Sequence, residues 1–316
     1  MILCFYKKIF LLILLGFFSA IIIGGSATFC SGIFASTTEP PRAMWVWDIK
    51  IFQDEEATQR LLNFCKEKNI STLFYTAYKV TGAVERDYRR FNSQAHKRNI
   101  LVHALAGDPR WALEKYHHRF LEWAKDVLEF NSKAPLNERF DGIHSDVEPY
   151  LLAKPWEADS KSILIQYLEM NRKAKVFIKQ SAQAIAFAAD VPFWYDDDTA
   201  MWVEWRNKFA PANYHILDML DQIAIMDYRN FAEGANGSIA LAAKEVEYAA
   251  SVNKKVYIGQ ETKENLYPPY VTFGGMTEEN MERQIKKLVE VYINSPGFAG
   301  IAMHHYTSYR KLVENK

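Results

Sequence analysis

From residue 43 onward, short apolar runs alternate with amphipathic stretches, and the alternation repeats eight times. No other feature constrains the fold as strongly. The runs are "AMWVWD" (43–48), "STLFYTAY" (71–78), "ILVHALAGD" (100–108), "FDGIHSDVE" (140–148), "AIAFAADVP" (184–192), "DQIAIMDY" (221–228), "KVYIGQET" (255–262) and "GFAGIAMHHY" (297–306). Between them stand stretches such as "DEEATQRLLNFCKEKN" and "TEENMERQIKKLVEVYINS", with apolar residues three and four apart, the helical period. Thr277 predicts a helix start, with Glu278 and Glu279 in the first turn where the helix dipole favours negative charge. Eight strand-then-helix units, spaced by about 30 to 45 residues, predict a closed (β/α)8 TIM barrel, an α/β fold, as a single domain over residues 39–316. An open doubly wound sheet is the competitor, but the first run leads into "WVWDIKIF" with no glycine-rich phosphate loop.

Residues 1–38 stand apart. Two lysines in "MILCFYKK" precede the uncharged apolar run "IFLLILLGFFSAIIIGG", and small residues and prolines lead out of it. This pattern predicts a signal peptide, cleaved after Ala27, or an uncleaved membrane anchor with a short linker. Either places the body outside the cytoplasm: secreted, periplasmic or membrane-anchored, touching the membrane only through this segment. Cys4 and Cys30 lie in the leader, so Cys65 is the body's single cysteine and no internal disulfide framework exists; its helical context predicts a buried, inert thiol. The 38 basic and 38 acidic residues balance and are mixed along the chain, so no nucleic-acid partner is expected.

In a barrel of this kind the chemistry sits where strands end. The eight ends carry Asp48, Tyr78, Asp108, Glu148, Asp190, Tyr228 with Arg229, Glu261, and His304 to Tyr306. Strand ends meet solvent, which explains part of this polarity. Large aromatics stand beside the same ends at Trp45, Trp47, Trp111, Trp156, Trp194 and Tyr195. Aromatic faces around a carboxylate-rich mouth suit an oligo- or polysaccharide, whose C–H faces stack while its hydroxyls hydrogen-bond. The substrate-binding candidates are Trp47, Asp48, Asp108, Trp111, His144, Trp194, Arg229, His304 and Tyr306. No His-x-His or His-Glu-x-x-His pattern argues for a metal, and no metal or cofactor is expected. His103, inside the third strand, reads as a hydrogen-bonded core histidine, and His117 and His118 as solvated helix residues.

The fourth run carries the densest chemistry. In "ERFDGIHSDVEPY" (138–150), Ile143 and Val147 share one parity while His144, Asp146 and Glu148 share the other, so one strand face becomes acidic toward its far end. Unpaired burial of such carboxylates is costly, so they are solvated in a cleft, paired or functional. As i and i+2 neighbours on one face, Asp146 and Glu148 repel each other's charge, and a raised pKa for one of them follows.

"DGIHSDVE" (141–148) resembles the fourth-strand signature of the chitinase-like, family 18-like glycoside hydrolases, Asp-Gly-x-Asp-x-Asp-x-Glu, through Asp141, Gly142, Asp146 and Glu148. "QIAIMDYRN" (222–230) resembles that family's Met-x-Tyr pattern through Met226 and Tyr228, and "GIAMHHY" its eighth-strand Gly-apolar-x-Met lead. The resemblance implies a glycoside hydrolase with Glu148 as general acid, while Asp146 and Tyr228 steady the 2-acetamido group of the substrate, whose carbonyl acts as nucleophile. Three positions depart: His144 replaces an aspartate, Arg229 replaces an aspartate and His304 replaces a tryptophan. His144 is expected to hold Asp146 ionised, and Arg229 to pair with a carboxylate or bind an acidic sugar. Two alternatives stay open. Glu148 and Glu261, ending the fourth and seventh strands, resemble the acid/base and nucleophile of the retaining β-glycosidases, although Val147 stands where that group has asparagine. The departures also allow a non-catalytic carbohydrate-binding protein on an inactivated barrel.

Overall fold

The computed structural model describes residues 40–196 and 199–314; the leader reading lies outside the described residues. All eight expected strands form. They are β1 (Arg42–Val46), β2 (Ile70–Thr76), β3 (Leu101–Ala106), β4 (Gly142–Ser145), β5 (Ala186–Pro192), β8 (Gln222–Met226), β9 (Lys255–Glu261) and β10 (Phe298–His304). They pair in parallel and close in the order β1-β10-β9-β8-β5-β4-β3-β2, a (β/α)8 barrel. The intervening helices are α1 (Glu55–Glu67), α2 (Glu85–His96), α3 (His117–Ser132), α4 (Lys154–Gln180), α5 (Ala212–Met219), α6 (Ser238–Ser251), α7 (Glu278–Tyr292) and α8 (Tyr306–Glu314). No helix among the described residues is long and apolar enough to cross a membrane.

Local chemistry sets the helix starts as the sequence predicts. The Thr277 side chain accepts from the Asn280 N–H and opens α7, and Asp54 caps α1 through the Ala57 N–H. Cys65 faces the core from α1, and burial pushes its thiol far up, which makes it inert.

Strand alternation then divides the molecule into two apolar regions. One parity packs outward against the helices. The other fills the barrel interior with Ala43, Trp45, Phe74, Leu105, Ala224, Tyr257 and Ala302, large residues interleaved with alanines so that the interior is solid. Gly142 belongs to this layer: a Cβ there would lie 2.5 Å from the His103 ring, so glycine lets the imidazole lie across β4. His103 is buried, but its Nδ1 has no hydrogen-bond partner; its ring packs 5.6 Å from Phe74 and burial drives its pKa down to about 3. It is therefore a packing residue rather than a hydrogen-bonded one. His117 also departs from expectation: the turn of α3 buries it, with Nε2 on the Ala112 carbonyl, whereas His118 is exposed.

The sequence reading missed one element, the antiparallel hairpin of β6 (Trp202–Trp205) and β7 (Lys208–Pro211). Arg206 and Asn207 turn it with positive φ (52° and 63°), the handedness that matches strand twist in a two-residue hairpin. Four-residue arms that are only partly buried leave too short a periodic signal to read.

Candidate active site at the carboxyl end of the barrel

β4 is shorter than its apolar run. Regular strand ends at Ser145, and Pro149 starts a single 3-10 turn over Pro149–Leu152. Pairing with β3 persists for one more bond, from Asp146 N to Ala106 O at 3.0 Å. Gly107 makes that approach possible, since a Cβ at this position would lie 1.6 Å from the Asp146 carbonyl oxygen. The chain keeps alternating: Val147 is buried, and Asp146 and Glu148 turn into the barrel mouth.

There they line a cavity of about 180 Å³ with Trp45 and Trp47 from β1, Asp190 from β5, Met226 and Tyr228 at the end of β8, and His304 from β10. A larger depression of about 610 Å³ opens at the opposite end of the strands, among Asn69, Ser71, Lys97 and Asn99, away from these carboxyl groups.

Two sets of polar groups meet at the cavity. In the first, Asp190 accepts from Trp45 Nε1 at 3.1 Å through Oδ2 and from His144 Nε2 at 2.9 Å through Oδ1. His144 is fully buried, and burial lowers its pKa to about 3; the ring is neutral, so Nε2 carries the proton it donates. Asp190 also shares a hydrogen bond with Asp146. Burial raises both carboxyls well above the ordinary range. For Asp146 the charges of Asp190 and Glu148 add to it; for Asp190 the Trp45 N–H opposes it. Two buried carboxyls in contact cannot both ionise, so the pair holds a proton. Glu148 is raised by burial as well, against the opposing hydrogen bond that Tyr150 donates to its Oε2.

In the second set, Glu261 accepts from the backbone N–H groups of Thr262 (2.8 Å) and Lys263 (2.7 Å) through Oε1, and meets His304 Nδ1 at 2.7 Å through Oε2. Trp47 Nε1 donates to His304 Nε2 at 3.0 Å, and an indole N–H can only donate, so His304 carries its proton on Nδ1 toward Glu261. Burial acts to raise the Glu261 carboxyl, but the bonds from His304 and the two backbone N–H groups outweigh it and hold the group below its ordinary range.

The structure thus brings Asp146, Glu148, Tyr228, Trp47 and His304 into one cavity and places Glu261 behind His304. The Tyr228 hydroxyl has no hydrogen-bond partner among the described residues, and burial pushes its pKa well up, so it is a neutral donor at the wall. Other expectations need correction. His144 lies beneath the cavity with no exposed surface and bonds Asp190, not Asp146, so it neither contacts a ligand nor holds Asp146 ionised. Trp111 packs in the outer core against Phe120 (5.8 Å) and Trp123 (6.2 Å). Tyr306 opens α8 and packs on Phe64. Asp48 is exposed and accepts from the Lys50 N–H, and Asp108 is engaged by exposed Arg110. Arg229 is buried between the rings of Phe193 and Tyr270, bonded to Asn236 and the Tyr228 carbonyl; its charge acts on the buried Asp227 carboxyl, and it does not line the cavity. Trp194 stands at the rim, 5.4 Å from the Tyr150 ring and packed with Trp156 and Tyr195.

Asp190, Trp45 and Tyr150 are site residues that the sequence left off the candidates. Asp190 ends its strand with the inward parity, which was a usable signal; its bond to Asp146 was not, because it depends on strand closure.

No family model matches the sequence, and no curated protein matches it. Solved structures do. A spore cortex-lytic enzyme of Bacillus cereus superposes with a TM-score of 0.53 at 13% identity, over 88% of this chain and 74% of that one. A chitinase from Bacteroides thetaiotaomicron gives 0.53 at 13%, over 86% and 93%. An exo-β-1,4-mannosidase from an Opitutaceae bacterium gives 0.53 at 11%, over 84% of this chain and 51% of that one. At such identities the likeness concerns the backbone alone: the chain has a divergent chitinase-like (β/α)8 barrel fold of the kind found in glycoside hydrolases.

Proposed function

We propose that this protein is an exported glycoside hydrolase acting on an oligo- or polysaccharide that contains a 2-acetamido sugar. The observation that carries the reading is the juxtaposition of Asp146 and Glu148 in one aromatic-walled cavity, both held above the ordinary carboxylate range by burial. Glycosidic cleavage passes through an oxocarbenium-like transition state and needs a proton for the leaving oxygen and a nucleophile at the anomeric carbon. Glu148, whose carboxyl burial raises above its ordinary range, gives its proton to the leaving oxygen. The acetamido carbonyl oxygen of the substrate attacks the anomeric carbon while the Tyr228 hydroxyl donates to it and Asp146 accepts the acetamido N–H. Glu148, now a carboxylate, takes a proton from the water that opens the cyclic intermediate.

The covalent alternative requires Glu261 as nucleophile. Both of its oxygens are already bonded and His304 stands between it and the cavity, which favours the substrate's own nucleophile. Export rests on the charge and hydropathy of residues 1–38. The test is hydrolysis of N-acetylated oligosaccharides compared with their 2-hydroxy counterparts, with binding measured in parallel by calorimetry. Cleavage of the acetamido series alone is expected. Binding without turnover by the wild-type protein would make it a lectin on an inactive barrel.

A further inference from the structure

β4 and β5 are hydrogen-bonded neighbours, with His144 opposite Ala188, so Asp190 rises one step beyond His144 on the adjacent strand and meets Asp146 at the floor of the cavity. It is buried, with 3% of its surface exposed, and its two oxygens are held by two fixed N–H donors, Trp45 from β1 and His144 from β4. Neither donor can rotate away: the indole belongs to the packed barrel interior, and the imidazole lies 4.1 Å from the Phe74 ring.

We propose that Asp190 is a positioning residue that fixes the proton and the orientation of Asp146, so that His144, Trp45, Asp190 and Asp146 form one proton-sharing unit drawn from three strands. The inference rests on the hydrolase reading for its catalytic consequence, but not for its physical content. His144 removes a carboxylate from β4, and Asp190 returns one from β5. The histidine is then a fixed donor that orients the relocated carboxyl, rather than a sign of a dead site. Two donors on Asp190 favour its charge, which leaves the shared proton on Asp146. When the acetamido nitrogen gains positive charge, that proton shifts from Asp146 to Asp190, and Asp146 faces the cation as a carboxylate. The proton crosses one hydrogen bond and returns when the cyclic ion is opened, so no external acid or base is consumed. The other groups facing Asp190 are Glu148 past β4, His304 on β10, Tyr228 past β8 and Tyr167 on α4.

The test is a pH titration of the full chain labelled with ¹³C at the aspartate carboxyl carbons, read beside steady-state kinetics. In the wild type the Asp146 signal, assigned by its loss in D146N, is expected to titrate well above the ordinary aspartate range. Asp190→Asn keeps an oxygen for His144 and removes the charge, and should lower that midpoint by about one pH unit or more. Trp45→Phe removes a donor to Asp190 and should move the midpoint the other way; it keeps the question open to experiment if the asparagine variant fails to fold. In kinetics, Asp190→Asn should lower kcat about tenfold or more with KM within about twofold, and shift the pH profile. An Asp146 midpoint unmoved in both variants would overturn the proposal. A wild type that binds sugar without cleaving it would overturn the hydrolase reading instead, and the carboxyl titration would still decide the pairing.

Discussion

Asp146, Glu148 and Asp190 on one side and Glu261 on the other end strands of the same barrel, within one rim, and their carboxyl groups are driven in opposite directions. The first three are raised and the fourth is lowered, although all are largely buried. Burial alone therefore does not decide the outcome. Asp146 and Asp190 face each other, so desolvation and like charge act together. Glu261 is met by two backbone N–H groups and His304, and these donors overcome the same desolvation. The first arrangement keeps protons available for transfer; the second holds a fixed negative charge that orients His304 at the cavity wall.

The contrast breaks most sharply at Glu148. Glu148→Gln should cost on the order of 10²–10⁴ in kcat on oligosaccharides, with substrate binding retained in calorimetry. The loss should be smaller on nitrophenyl glycosides, whose leaving group needs less protonation; equal losses on both substrates would argue against an acid role. Asp146→Ala should follow at ~10² through loss of electrostatic stabilisation. Glu261→Ala should retain measurable turnover, within about tenfold of wild type, because a positioning charge is lost rather than a nucleophile. A glycosyl ester on Glu261, trapped with a slow fluorinated sugar and seen by mass spectrometry, would reverse the assignment.

Tyr150→Phe sharpens the comparison within the raised group. The Tyr150 hydroxyl donates to Glu148 and favours its charged form. Its removal should move the alkaline limb of kcat/KM upward by about one pH unit, the size expected for one hydrogen bond to a carboxylate.

Stability carries the same signature. A carboxyl raised on folding binds its proton more tightly in the folded chain, so its contribution is full below the ordinary carboxylate range and is lost as pH rises through its folded value; a lowered one contributes above that range and loses it as pH falls. The Tm of Glu148→Gln relative to wild type should therefore increase as pH rises above the ordinary carboxylate range, while the penalty of Glu261→Gln should shrink as pH falls below that range. Parallel melting curves for the two variants across that range would remove the distinction. The smallest effect is expected at Asp108, a strand-end carboxylate engaged by exposed Arg110. Asp108→Ala should change kcat/KM by less than about twofold.

What the sequence by itself determined is local and periodic. Each apolar run from "AMWVWD" to "GFAGIAMHHY" contains its observed strand or begins within a residue of it, because backbone pairing and two-sided burial both demand uninterrupted apolar chain. The Thr277 cap was legible because its hydrogen bond spans three residues. Parity put Asp146 and Glu148 on one face, and the structure keeps them there past the end of β4. Only the tertiary structure decided which strand ends became a site. Trp111, Tyr306 and Asp48 stand at ends as promising as that of Asp190, but barrel closure and helix packing turned the first two into the core and left the third on the surface. His144 and Asp190 lie 46 residues apart and meet through the pairing of β4 with β5. Whether a carboxyl gains or loses its proton follows from the groups that closure sets against it. A second carboxyl stands beside Asp146, and the His304 imidazole stands beside Glu261, and neither neighbour is implied by the residues adjacent in the chain on which periodicity depends.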